Sequence, residues 1–239
     1  MFHRKETIGP VDVAFTNREG GVSTGPWSSL NLGTGNGDDS AAVEHNLRLL
    51  ADALGVDELV RMTQVHGADV HVVDSAHAGQ TPTADALVTD RSGLGLLVRV
   101  ADCIPIVLAD EAARVVAVAH AGRAGMELGV VPHTLAAMRA LGAQSIRAWM
   151  GPRACGACYE VPEALADEVA VVVPAARSTT SWGTPALDIG AGIRSQFAAE
   201  NVDVEDIGEG LCTIENEEFF SFRRQGADSG RFGAVVVLR

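Results

Sequence analysis

RVADCIPIVLADEAARVVAVAHAG, residues 99–122, sets two apolar, β-branched runs on either side of a short polar segment and places a cysteine and a histidine at their outer ends. Runs of this kind read as strands, here over 104–108 and 115–119, and the segment between them is of hairpin length. A hairpin symmetric about Glu111 and Ala112 puts Cys103 directly opposite His120. Directly opposed side chains have Cβ atoms about 4.5–5.5 Å apart, a separation from which a thiolate and an imidazole reach one ion. The connection lacks the Gly or Asn of a tight two-residue turn, so a looser loop or a bulge would change this register.

Further strands are expected near 11–16, 59–65, 70–73, 86–89, 94–100, 146–150, 219–222 and 234–238. Helical spacing runs through 41–54, where Val43, Leu47, Leu50 and Leu54 share a face behind the capping candidates Asp39 and Ser40. Helices are also expected over 129–141, 162–173 and 191–200, and a surface loop over STTSWGTP (178–185). Strands and helices interleave, yet several strands are close enough to be hairpins. This predicts an α/β fold with mixed sheets rather than a purely parallel one. No internal repeat or low-complexity linker divides residues 1–239, which reads as one domain.

Composition bounds the function. The 239 residues are 47% hydrophobic, ample for a core, and the formal charge is −13 with a pI of about 4.9. Such a surface repels nucleic acid and anionic lipid, and no Lys/Arg run offsets it. Apolar stretches are too short to cross a membrane, and the basic start MFHRKETIGPVD leads into no apolar segment of a signal peptide. A cytoplasmic protein is expected, with Cys103, Cys155, Cys158 and Cys212 reduced.

A third ligand for an ion at Cys103 and His120 is His66, in TQVHG (63–67), at the end of a strand and before a glycine. Two imidazoles and one thiolate leave a fourth zinc position open, the pattern of a catalytic centre, where a bound ion acidifies water or polarises a phosphate or carbonyl oxygen. From spacing alone another reading stands beside it: a small buried cysteine and a hydrogen-bonded core histidine.

These residues lie in motifs that resemble a known family. TQVHG (63–67), ADALVT (84–89), ADCIP (101–105), AHAG (119–122) and CYEV (158–161) stand in the order and approximate spacing of the polyphenol oxidase or laccase-domain proteins. That family is also described as purine nucleoside phosphorylases and includes the peptidoglycan editing factor. TNREGGVS (16–23) and SLNLG (29–33) are similar to its opening motifs and FSFRR (220–224) to its closing one, so nearly the whole chain is covered.

The resemblance implies a single α/β domain with sheets layered between helices, and a metal, usually zinc, on His66, Cys103 and His120. It implies phosphorolysis of adenosine, inosine and methylthioadenosine and deamination of adenosine, with Arg18 and Asn31 near the substrate. The partners are then a purine nucleoside and phosphate. Two departures concern the site. Where the family commonly has HAGWRG this chain has HAGRAG (120–125), so Arg123 stands one place early and Ala124 replaces the usual arginine. The loop GPRACGACYEV (151–161) adds Cys155 to the commoner cysteine position at 158.

The laccase name does not extend to blue multicopper chemistry. The seven histidines (3, 45, 66, 71, 77, 120, 133) contain no HxH pair of the kind that bridges copper centres. A single copper at the His/Cys site remains the alternative ion, since nitrogen and sulfur donors hold copper more tightly than zinc. His71, on an alternating strand, should face away from the apolar side; His133 and His77 read as surface residues. Cys155 and Cys158 form a CxxC, which reads either as a redox dithiol or as incidental thiols or a loop staple. Cys212 reads as core. Arg223 and Arg224 are adjacent, so on a strand only one reaches the pocket. GLG (93–95) opens no dinucleotide fingerprint.

Two other functions use the same residues. One is a cysteine amidase editing a cytosolic peptidoglycan precursor, with Cys103 as nucleophile and His120 as base. The other is a non-catalytic metal-binding or partner-binding module.

Overall fold

The central strands are apolar on both faces because they form the inner two layers of four. The computed structural model describes residues 1–74 and 81–239. One sheet joins β1 (Phe2–Ile8), β2 (Val11–Thr16), β13 (Phe232–Leu238), β6 (Gly95–Val100) and β3 (Leu59–Val60) in that order. The other joins β12 (Asp203–Asp206), β9 (Arg147–Met150), β7 (Ile104–Asp110), β8 (Val115–Ala121), β5 (Ala86–Thr89) and β4 (Val70–Val72). Each is antiparallel apart from one or two parallel pairs at its edges, so the expected mixed α/β architecture is observed.

Period-two alternation then decides which layer each side chain enters. Val11, Val13 and Phe15 of β2 and Val107 and Ala109 of β7 meet between the sheets, with Trp149 of β9. The opposite face of the first sheet, Ala14, Leu97, Val235 and Val237, is covered by α1 (Ser40–Leu54). The opposite face of the second, including Ile104, Ile106, Val115 and Ala117, is covered by helices. These are α2 (Arg123–Glu127), α3 (Val130–Ala140), α4 (Glu163–Val172) and α5 (Ile189–Ala199). A last short helix, α6 (Phe222–Gln225), lies beside the site described below.

Helix α1 follows the expected signals. Asp39 caps it by accepting the Ala41 N–H, and Gly55 ends it in the left-handed region at φ 65°. Val43, Leu47, Leu50 and Leu54 are buried as the spacing predicts.

Several expectations need correction. The β7–β8 hairpin closes through a four-residue turn, Glu111 to Arg114, with Arg114 at φ 55°, and this moves the register by two: Pro105, not Cys103, faces His120. The strand expected over 59–65 stops at Val60, because the chain leaves the sheet and the Gln64 amide takes over as partner of β6. Gln64 donates to the Arg99 carbonyl (2.8 Å) and accepts its N–H (3.1 Å). Residues 219–222 form no strand; Phe219 and Phe220 pack between the sheets from a turn, and Ser221 caps α6. The loop expected over 178–185 contributes its ends to a hairpin, β10 (Arg177–Thr179) with β11 (Pro185–Leu187). His71 is half-buried level with Leu87, and Val72 is the exposed residue of β4. His133 is exposed as expected, and His77 lies outside the described residues. No helix among the described residues is long and apolar enough to cross a membrane.

Because α1 contributes only to the outer layer, Leu50→Ala should cost about 2–5 kcal/mol of stability by leaving a cavity. Urea unfolding should show the loss while metal content at the site below stays at the wild-type level.

Candidate active site

His66, Cys103 and His120 come together at one end of the sheets. His120 sits near the end of β8 on the inter-sheet side and Cys103 just before β7. The two-residue shift of register preserves side-chain parity, so Cys103 becomes a diagonal rather than a direct neighbour of His120. His66 joins them from the segment after β3, in a left-handed conformation at φ 60°. Its Nε2 lies 3.8 Å from Cys103 Sγ, the two imidazoles pack edge to face with centroids 4.7 Å apart, and the three donor atoms all lie within 4.8 Å of one another.

Asp85, which the sequence reading did not single out, holds this arrangement. It is wholly buried at the head of β5, and its carboxylate accepts the N–H groups of Val65 (3.2 Å), His66 (3.0 Å) and Gly67 (2.7 Å). The same carboxylate lies 2.8 Å from His120 Nδ1, and its own backbone carbonyl accepts the His120 N–H (2.7 Å). Burial opposes the charged carboxylate, but the His120 and backbone hydrogen bonds outweigh it and keep the carboxyl below its ordinary range. An ionised Asp85 fixes the His120 proton on Nδ1 and leaves Nε2 toward Cys103. Burial likewise opposes a Cys103 thiolate, yet the neighbouring His120 and His66 pull the thiol down to about 6. His120 is raised to about 9 against its own burial by Cys103 and Asp85. The pair therefore favours thiolate and imidazolium when no ion is present.

Gly122 leaves the site room. A Cβ there would stand 2.9 Å from His66 Cδ2 and 3.0 Å from Cys103 Sγ. The donor set fits a metal ion by its chemistry: two imidazoles and a low-pKa thiol converge on one point, and the carboxylate behind His120 is the usual second partner of a metal-bound histidine.

The three donors lie on the wall of a cavity of about 700 Å³. Four arginines reach it: Arg99, Arg123, Arg223 and Arg231. Arg123 is paired with Glu127 within α2. The others have no carboxylate partner among the described residues. Arg99 donates to the carbonyls of Met62 (2.9 Å) and Leu32 (3.4 Å), Arg223 to that of Glu160 (2.9 Å), and Arg231 to those of Ser229 and Gly230 (both 2.8 Å). Burial, with Arg61 and Arg231 nearby, lowers Arg99 to about 10. Two aromatic rings share the cavity, Tyr159 under Arg223 at 4.8 Å and Phe222 under Arg231 at 5.8 Å. Ala124 lines it beside Arg123.

Arg223 and Arg224 do diverge, though on a helix: Arg224 turns away and donates to the carbonyls of Thr213, Ile214, Asn216 and Phe219. Asp102, at φ 81°, ties α6 to the site by accepting the Arg223 N–H and the Thr213 hydroxyl, both at 2.6 Å. Arg18 and Asn31 are not on the cavity wall. Arg18 donates to the Ser28 carbonyl (2.7 Å) and stacks on Phe220 at 4.6 Å. Asn31, wholly buried, accepts the N–H groups of Gly33 (2.9 Å) and Arg231 (2.8 Å), and so positions two residues that do line it.

This geometry defines a His/Cys centre, buried at His120 and open at His66, in an arginine-walled cavity on a four-layer α/β fold. Residues 12–239 match the model of the family described as multi-copper polyphenol oxidoreductase laccase, and the chain belongs to that family. It is 47% identical over 244 residues to the purine nucleoside phosphorylase SCO2081 of Streptomyces coelicolor, with 100% of both chains covered. Among solved structures it is similar to protein NMB0706 of Neisseria meningitidis, with a TM-score of 0.88, 33% identity and coverage of 99% of this chain and 98% of that one. YlmD of Geobacillus stearothermophilus gives a TM-score of 0.84 at 32% identity, covering 100% and 98% of the two chains. YlmD is likewise named a purine nucleoside phosphorylase.

Asp85→Asn removes the charge that orients His120 and the 65–67 backbone. It should weaken metal binding at His66, Cys103 and His120 by about 10- to 100-fold, read by competition with a chromophoric chelator on protein that keeps its wild-type circular dichroism.

Proposed function

We propose that this protein is a cytoplasmic, metal-dependent purine nucleoside phosphorylase that also deaminates adenosine. The observation that carries the reading is the meeting, in one cavity, of the His66–Cys103–His120 donor set with three arginines that form no ion pair with a carboxylate among the described residues. Relatives named purine nucleoside phosphorylase that match over 96–100% of the chain support it.

His66, Cys103 and His120 would hold zinc, with copper as the alternative ion. When bound, the ion supplies Lewis acidity toward a phosphate or sugar oxygen. The arginines bind the phosphate dianion, since their fork-shaped guanidinium groups match its oxygens and no described carboxylate forms an ion pair with Arg99, Arg223 or Arg231. In phosphorolysis a phosphate oxygen bonds to the anomeric carbon as the bond to the purine nitrogen breaks; the electron pair leaves with the base, which takes up a proton. Positive charge grows on the ribose during this exchange, and a dianion fixed by Arg99, Arg223 and Arg231 stabilises it. Tyr159 and Phe222 offer faces on which a purine stacks. Deamination joins a water oxygen to carbon 6 of adenine and releases ammonia; it makes no use of phosphate.

A second reading has its own observation. Cys103, His120 and Asp85 are linked in the order nucleophile, base and orienting carboxylate, with the thiolate favoured. That is the constellation of a cysteine amidase acting on a peptidoglycan precursor, which needs no metal.

Zinc-loaded protein incubated with adenosine, inosine or methylthioadenosine should release free base only when phosphate is present, and should form inosine from adenosine without it, as read by chromatography. Cys103→Ser should abolish both while circular dichroism stays unchanged. Arg231→Ala should raise the KM for phosphate by about tenfold or more, the worth of one charged hydrogen bond. If no base or inosine forms with one zinc bound per chain, the nucleoside reading falls; hydrolysis of a precursor amide by metal-free protein would establish the amidase instead.

A further inference from the structure

Away from the cavity, two chain segments fold into matching tight turns. In the first, the Cys155 carbonyl accepts the N–H groups of Cys158 (3.1 Å) and Tyr159 (3.0 Å). In the second, the Cys212 carbonyl accepts those of Glu215 (3.1 Å) and Asn216 (2.8 Å). Each turn presents the side chains at its two ends: Cys155 with Cys158, and Cys212 with Glu215. The turns are locked face to face by the bridge between Arg153 and Cys212 and by the Thr213 N–H donated to the Arg153 carbonyl (3.0 Å). As a result the three sulfurs and a Glu215 carboxylate oxygen all lie within 4.8 Å of one another.

A second observation concerns the sulfurs themselves. Cys212 Sγ receives the backbone N–H of Cys155 at 3.4 Å, so the sulfur of the second turn is tied directly to the backbone of the first. Cys158 and Cys212 are both buried, and all three cysteines are free thiols. Sulfurs crowded with a carboxylate in so buried a place give up their thiol protons only to a cation among them. A tetrahedral zinc with sulfurs at about 2.3 Å holds its donors roughly 3.8 Å apart, within the span seen here.

We propose that Cys155, Cys158, Cys212 and Glu215 form a second metal site that takes a thiophilic divalent cation, with zinc the fitting choice. It differs in kind from the cavity site. Four protein groups close the coordination shell, three of them sulfur, which is the pattern of a structural centre. Each thiol that binds releases its proton to solvent. The site clamps the loop that carries Ala154 and Tyr159 to the cavity wall, and the segment whose Thr213 hydroxyl holds Asp102. Its role is therefore to fix that wall.

The test is zinc content per chain, by elemental mass spectrometry, on the full chain purified under reducing conditions with zinc. Wild type should carry two ions, and Cys155→Ser, altered at the half-buried rim, should carry one and remain folded by circular dichroism. The difference between these proteins reads the second site whatever the first one holds. Cobalt(II) added to His66→Ala protein gives an independent reading: an intense sulfur-to-cobalt absorption band is expected, and it should vanish in the His66→Ala, Cys155→Ser double variant. Equal zinc in wild type and Cys155→Ser, no such band, or a Cys155–Cys158 disulfide in the freshly purified protein would each overturn the proposal.

Discussion

The carboxylate of Asp85 is the constraint on which the site depends. A buried carboxylate is costly unless its oxygens are fully engaged, and here three successive backbone N–H groups and one imidazole engage them. That saturation explains why residues 65–67 can leave the sheet and why His66 can hold a left-handed conformation, which non-glycine residues adopt at a cost. It also links two strands of distant sequence, since Asp85 heads β5 and His120 closes β8. One charge thus sets the path of the loop carrying the first donor and the orientation of the ring carrying the third.

How much of this was legible in the sequence depends on the layer. Strands of the inner layers, such as β7, β8 and β13, are apolar on both faces and announce themselves by composition. In the two large sheets the strands that went unrecognised, β1 and β12, are both edges. They read FHRKETI and DVED, because an edge exposes unpaired backbone and is commonly protected by charge, which erases the apolar signal. The opposite error fell on residues 219–222, where an aromatic run fills the space between the sheets from a turn. Helix α2 is a single five-residue element whose pattern is too short to stand out.

For the site, the hairpin argument reached the right pair through a register that was off by two, because a shift of two leaves every side chain on its own face. Asp85 was missed, although a lone acid inside the apolar ADALVT was a signal that could have found it, since such a placement calls for a buried partner. Arg99 and Arg231 carried no such signal, since nothing local distinguishes a cavity arginine from a surface one, and their meeting is made by the sheet that pairs β6 with β13. Asn31 shows the intermediate case: it stands in a recognisable motif, yet acts by holding the backbone of Gly33 and Arg231 rather than by lining the cavity.

The cavity wall has the same logic as the donor set, in that rigid backbone contacts deliver groups whose charge is left unspent. Arg99, Arg223 and Arg231 are held by carbonyl oxygens, which accept their hydrogen bonds without neutralising them, whereas Arg123 is quenched by Glu127. Where the family commonly has HAGWRG, this chain therefore keeps an arginine at the cavity but ties it to a neighbouring acid, so the unspent positive charge comes from the other three. Arg223 is in turn placed by Asp102, whose carboxylate also grips Thr213, next in sequence to Cys212. The chain of contacts runs from the cysteine-bearing turns through Asp102 to the arginine wall, and Asp102 itself immediately precedes Cys103. The arginine wall and the His/Cys donor set are thus tied to adjoining residues of one strand end, Asp102 and Cys103.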